Sequence, residues 1–145
     1  KLIGIDANAD AIAYANELST DFPELSFESI DVFSDQFEVL EFDIALTTLF
    51  LHHFKDKDIL SLLKRLSKNA NLGIVVNDLQ RSKIAYRLFQ LLGLTISNDM
   101  IVEDGLTSIL RAFSRKDLEK YSNTLHLKSE IRWQWAFRYQ WLIRS

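Results

Sequence analysis

Two hydrophobic runs each end on an acid: Lys1-Leu-Ile-Gly-Ile-Asp6 and Leu25-Ser-Phe-Glu-Ser-Ile-Asp31. Each reads as a buried strand carrying one carboxylate to its C-terminal edge, the edge at which open α/β sheets bind nucleotides. A carboxylate there can accept hydrogen bonds from ribose hydroxyls or from an adenine amino group, so the pair points to an adenosine-containing cofactor. Asp6 stands before Ala7-Asn8 and a helix pattern, the position that reads a ribose in dinucleotide and related folds. Asp31 is followed by Val32 and Phe33, apolar neighbours suited to covering a flat ring. The plainer alternative for either acid is a helix or loop cap.

The most specific local string is Leu46-Thr-Thr-Leu-Phe-Leu-His-His-Phe54. It follows a strand pattern and sets His52 and His53 at the same sheet edge, where a neutral imidazole can take a proton from a substrate hydroxyl. The alternative is a histidine that packs and hydrogen-bonds structurally. Asn77 and Asp78 close another strand at that edge and either line a substrate pocket or cap the next helix. No metal site is expected: there are only 3 histidines, His126 lies far from the others, and there is no cysteine. Nucleophile-elbow, phosphate-loop and zinc-protease motifs are absent from the sequence.

These residues need a scaffold, and the composition supplies one. The chain has 145 residues, the size of one domain, and 48 % of them are hydrophobic, enough for a core. The net charge of −3 gives no electrostatic footprint for nucleic acid. No apolar run approaches the ~20 residues that span a bilayer, no signal peptide is visible, and a chain without disulfides suits the cytoplasm. The sequence opens at Lys1 already inside a strand pattern, as expected of a piece of a longer polypeptide.

Strand and helix signals alternate, the pattern of an α/β sandwich with a largely parallel sheet. Strands are expected over 2–6, 26–32, 42–48 and 71–77. Helices are expected over 10–22, stopped by Pro23, over 56–68, where Ile59, Leu62, Leu63 and Leu66 follow helical spacing, and over 82–92. A further amphipathic piece runs through Leu106, Ile109, Leu110 and Phe113. Ser114 and Asp117 form a capping box for the next helix. Residues 129–143 alternate apolar and polar side chains, predicting a terminal β-hairpin in which the tryptophans pack.

With these residues placed, the chain resembles the class I S-adenosylmethionine-dependent methyltransferases. The matching strings are Gly4-Ile-Asp6 with Ala7-Asn8, Ser29-Ile-Asp31-Val32, the run Phe42 to Phe54, Leu60 to Leu63 leading to Gly73-Ile-Val-Val-Asn77-Asp78, and the hairpin. The run from Asn77 into an aromatic-rich helix is similar to a bacterial small-molecule subgroup. The resemblance implies a Rossmann-like three-layer sandwich with a mostly parallel sheet and a C-terminal antiparallel hairpin. It implies S-adenosylmethionine as cofactor, a small-molecule acceptor methylated at oxygen or carbon, and neither nucleic acid nor membrane as partner. A homodimer is one candidate assembly.

By position, the resemblance gives Asp6 the ribose hydroxyls, Ala7 a place beside the adenosine, Asp31 the adenine amino group and Val32 the ring. Thr47 and Thr48 would meet the methionine end of the cofactor, and His52 or His53 would face cofactor or substrate. Asn77 and Asp78 remain substrate candidates, and the helices from Ser82 to Phe113 would form much of the acceptor lid. The family's glycine-rich first motif has no counterpart among Gly4, Gly73, Gly93 and Gly105. Residues 1–145 are therefore expected to be the C-terminal portion of a methyltransferase domain whose first strand–helix unit lies upstream. That unit's strand belongs, in the family, between the strands ending at Asp6 and Thr48. Two rivals remain, a nicotinamide-dependent oxidoreductase and a non-catalytic binding domain on the same fold.

Overall fold

A computed structural model describes residues 1–145, which divide into two units, Lys1–Glu41 and Phe42–Ser145. In the first unit, strands β1 (Leu2–Asp6) and β2 (Leu25–Ser29) pair in parallel, with Asp6 opposite Ser29. Helix α1 (Ala9–Leu18) joins them. It starts because Asn8 is extended and its side chain accepts from the backbone N–H groups of Asp10 and Ala11. Asn16 ties the helix to β2 by donating from its side-chain amide to the Phe27 carbonyl at 3.1 Å. Gly4 lies under the ring of Phe27, where an added Cβ would come within 2.5 Å of a ring carbon. A short helix, α2 (Asp35–Glu38), capped by Ser34, buries Phe37.

This unit departs from the sequence expectation in two ways. The helix stops at Leu18 instead of Phe22, and β2 ends at Ser29, so Asp31 sits in the loop after the strand. The strands are also less buried than their apolar composition suggests: Leu2 and Ile3 are 66 % and 50 % exposed, because β1 has a strand neighbour on one side only.

The second unit is a four-stranded sheet in the order β3-β4-β6-β5, comprising β3 (Phe42–Thr48), β4 (Ala70–Leu79), β5 (Lys128–Gln134) and β6 (Arg138–Arg144). β3 and β4 run parallel; β6 is antiparallel to both β4 and β5. The expected hairpin is therefore present, although of its tryptophans only Trp141 is buried while Trp133 and Trp135 are exposed, and the chain as a whole is mixed α/β. Register places Ala45, Ile74, Val76, Tyr139, Trp141 and Ile143 on one face of the sheet, all of them buried.

Helix α3 (Asp56–Asn69) forms because Ile59, Leu62, Leu63 and Leu66 recur at three- and four-residue spacing and all become buried. Asp56 and Asp58 in its first turn and Lys68 in its last complement the helix dipole. Each fully buried leucine contributes about 1.5–3 kcal/mol of hydrophobic stabilisation. Helices α4 (Lys83–Gly93) and α5 (Asp99–Arg111) pack on each other, and α6 (Arg115–Thr124) begins at the predicted Ser114–Asp117 capping box. Gly73, with φ 147°, sits so close to β6 that a Cβ would approach the Ile143 carbonyl oxygen within 2.2 Å. No helix is long and apolar enough to cross a membrane.

Candidate functional site

β4 continues through Asp78 to Leu79, two positions further than its apolar run suggested, and this extension builds the site. Parallel register sets Thr48 beside Asn77, and the Asn77 carbonyl accepts from the Leu49 N–H at 2.9 Å. Leu49 then takes a left-handed conformation, φ 52°, which costs roughly 1–2 kcal/mol in a non-glycine residue. The turn aims the next two backbone N–H groups at one acceptor. Phe50 and Leu51 both donate to Asp78 Oδ2, at 3.2 and 2.9 Å. Successive N–H groups of this kind form a cradle for an anion, and here the anion is the protein's own carboxylate.

The second oxygen of Asp78 is also engaged. Oδ1 accepts from the Leu79 N–H at 2.7 Å and lies 2.6 Å from Nδ1 of His52 in the 3₁₀ turn Leu51–His53. A carboxylate offers only acceptors, so Nδ1 carries the proton and Nε2 is left as the acceptor nitrogen. Asp78 is 2 % exposed and His52 4 %. His53 is exposed, its ring centroid 4.2 Å from that of His52. The two histidines, equivalent in the sequence, are thus separated by the fold: one is oriented by a buried acid and the other faces solvent.

Asp78 is placed where it holds a histidine and three backbone amides, with its acceptor sites committed to the fold. Neighbouring polar groups are uncommitted. Thr47 Oγ1 and Asn77 Oδ1 are buried without a hydrogen-bond partner. A buried polar atom left unpaired costs about 1–3 kcal/mol; register puts Thr47 on the Val76 face of the sheet and Asn77 on the other. Thr48 is exposed on the opposite face of the same strand.

In the first unit, Asp6 and Asp31 lie at the carboxyl end of the parallel pair, both exposed. Each spends one oxygen on its own loop: Asp6 Oδ1 accepts from Asn8 N at 2.7 Å, and Asp31 Oδ1 from Phe33 N at 2.9 Å. The capping role and a binding role are therefore compatible, since the second oxygen of each has no protein partner. Ala7 is exposed between Asp6 and the cap residue Asn8, and Val32 is half-buried beside Asp31.

A second polar cluster joins the α3 and α6 ends. Asp56 accepts from the Tyr121 hydroxyl at 2.9 Å and from Lys120 Nζ at 3.1 Å. Hydrogen bonds from Lys120 and then Tyr121 hold the Asp56 carboxyl below its ordinary value, while burial, followed by Asp56 itself, pushes the Tyr121 phenol upward. Arg81 pairs with Asp117 at 2.6 Å, which ties it to the α6 cap.

Reading the sequence did not foresee Leu49, Gln80 or Trp133 as parts of this region. Trp133 Nε1 donates to Gln80 Oε1 at 2.8 Å, a contact across 53 residues. The one available signal was that β4 could run on through Asp78-Leu-Gln.

No protein-family profile matches this sequence, and no curated protein matches it. Solved structures do. The plantazolicin methyltransferase BpumL in complex with SAH (S-adenosylhomocysteine) superposes with TM-score 0.73 at 16 % identity, over 100 % of this chain and 66 % of that one. Magnesium protoporphyrin IX methyltransferase (ChlM) from Synechocystis PCC 6803 with bound SAH gives 0.61 at 12 %, over 99 % of this chain and 64 % of that one. A protein described as a pericyclic reaction enzyme gives 0.67 at 14 %, over 100 % and 36 %. The chain therefore has the fold of these methyltransferases and spans about two thirds of the length of the first two.

Proposed function

We propose that residues 1–145 are the C-terminal portion of a domain that transfers a methyl group from S-adenosylmethionine to a small molecule, at oxygen or carbon. The observation that carries this reading is the conjunction of that fold with Asp6 and Asp31, each at the carboxyl end of a parallel strand with one oxygen unspent. Asp6 would accept from the ribose hydroxyls and Asp31 from the adenine amino group, with Ala7 and Val32 beside the nucleoside. Thr47 and Thr48 are assigned to the methionine end. The unpartnered Thr47 hydroxyl and Asn77 amide oxygen each fit a ligand with polar groups of its own.

When bound, the cofactor supplies an electrophilic methyl group on a sulfonium, so the protein's main task is alignment of nucleophile, methyl carbon and leaving sulfur. For a hydroxyl acceptor His52 is the better base of the two histidines. Asp78 holds its Nδ1–H, which leaves Nε2 to take the hydroxyl proton. Asn77 is assigned to acceptor binding, and Asp78 contributes through His52. The β5–β6 hairpin beside β4 favours this reading over a nicotinamide-dependent oxidoreductase.

The same reading places a strand–helix unit upstream. β3 has β4 on one side only, and Ile44 and Leu46, on its face opposite the core, are 55 % and 69 % exposed. Unpaired edges and bare apolar faces of this kind invite aggregation; an upstream strand and its helix would cover both. Calorimetric titration of the complete polypeptide with S-adenosylhomocysteine tests the function, and an absence of binding overturns it. Mass spectrometry of the native protein tests the boundary, and a native start at Lys1 overturns that part.

A further inference from the structure

At Leu79, where β4 runs out, the second unit forms an open groove of about 260 Å³. Leu79 and Gln80, Phe89 and Leu92 of α4, Ile109 of α5 and Phe137, just before β6, line it. We infer that this groove holds the ring system of the acceptor, while Asn77 and His52, which do not line it, meet the acceptor's reacting end, and that the acceptor is a neutral aromatic compound of one or two fused rings. The identification as acceptor rests on the methyl-transfer reading; the chemical class rests on the groove itself.

Size sets the first limit. An apolar cavity of about 150 Å³ accepts benzene, so this groove has room for a second ring. Charge sets the next. No lining residue carries a charge, and an ionised carboxylate or ammonium moved into such a site without a partner loses several kcal/mol of solvation. The two phenylalanines present ring edges and faces that suit another ring.

Gln80 supplies the single polar side chain, and it is held at both ends. Its backbone N–H donates to the Phe137 carbonyl at 2.8 Å, and its Oε1 accepts from Trp133 Nε1 at 2.8 Å. An indole N–H only donates, so the amide oxygen must face Trp133 and the amide nitrogen is left with its N–H donors.

The test uses 1-naphthol as probe, titrated calorimetrically into the protein without methyl donor, against naphthalene-1-carboxylate as the charged counterpart. Ala85 lines the groove and is 8 % exposed, so Ala85→Phe fills it. Leu92→Trp is the second blocking variant should the first fail to fold by circular dichroism. The expected result is naphthol binding that weakens about tenfold or more in the blocking variant. Naphthalene-1-carboxylate should bind about tenfold weaker than naphthol. Absence of naphthol binding, equal binding by a folded blocking variant, or equal binding of the carboxylate overturns the inference. Naphthol binding by a polypeptide that fails to bind S-adenosylhomocysteine would remove methyl transfer and leave the groove's ligand class standing.

Discussion

Asp78 and His52, 26 residues apart in sequence, share a 2.6 Å hydrogen bond in the interior, and the same carboxylate holds the N–H groups of Phe50 and Leu51. Removing it takes the acceptor from four donors, Phe50 N–H, Leu51 N–H, Leu79 N–H and His52 Nδ1–H, in a site that solvent barely reaches. Asp78→Ala should lower the unfolding free energy by about 2–4 kcal/mol, more than a surface acid would. Urea denaturation measures this; an unchanged midpoint would mean that the turn holds itself.

His52 and His53 should separate in kinetics. With a hydroxyl acceptor, His52→Ala should reduce kcat by about 10²–10⁴ while S-adenosylhomocysteine affinity stays within about twofold, as for loss of a general base. His53→Ala, at an exposed position, should change kcat far less. Equal losses in the two variants, measured on the complete polypeptide, would discard the assignment.

Asp6→Ala and Asp31→Ala should each weaken S-adenosylhomocysteine binding by about tenfold or more, the worth of a hydrogen bond to a charged group. Both residues are exposed and cap only their own loops, so thermal stability should fall little. A scaffold that binds no nucleoside would tolerate both, and calorimetry distinguishes the outcomes.

The Asp56–Tyr121 contact makes stability depend on pH at both extremes. The carboxyl is held low in the folded state by Lys120 and Tyr121. Its contribution is therefore complete above the ordinary carboxylate value of about 4 and fades as pH falls through the lower folded value. The phenol is raised by burial and by Asp56. Its contribution is complete below the ordinary value of about 10 and is lost as pH climbs toward the higher folded value. Tyr121→Phe should cost about 1 kcal/mol near neutrality and flatten the alkaline limb. Asp56→Asn should flatten the acid limb by a smaller amount, because its side chain is 64 % exposed. Melting temperatures across pH decide both.

Gly73→Ala should destabilise by about 2–4 kcal/mol, since φ is 147° and a Cβ would meet the rigid Ile143 carbonyl. Recovery of wild-type stability by this variant would show that β6 can shift away at low cost.

Elements whose signal is local were legible in the chain. The period of Ile59, Leu62, Leu63 and Leu66 announced α3, and the oxygen of Ser114 three residues before Asp117 announced the α6 cap. The alternation through Trp133 and Trp141 announced the hairpin, and the acid after the first apolar run placed Asp6 at its strand end, whereas Asp31 lies in the loop after β2. Other expectations failed where pairing partners decide the outcome. β1 is more exposed than its composition suggests because it has one neighbour, and β4 runs on through polar residues because β6 pairs with it as far as Leu79.

The amino-acid order by itself determined which residue types reach the sheet's carboxyl edge, because strand and helix periods are properties of consecutive residues. It carried no information to choose between His52 and His53, to show that Asp78 is committed inside the fold, or to bring Gln80 to Trp133. Those outcomes depend on register between strands distant in sequence. A side chain's partners and access to water are set by that register, and only the tertiary structure decides it.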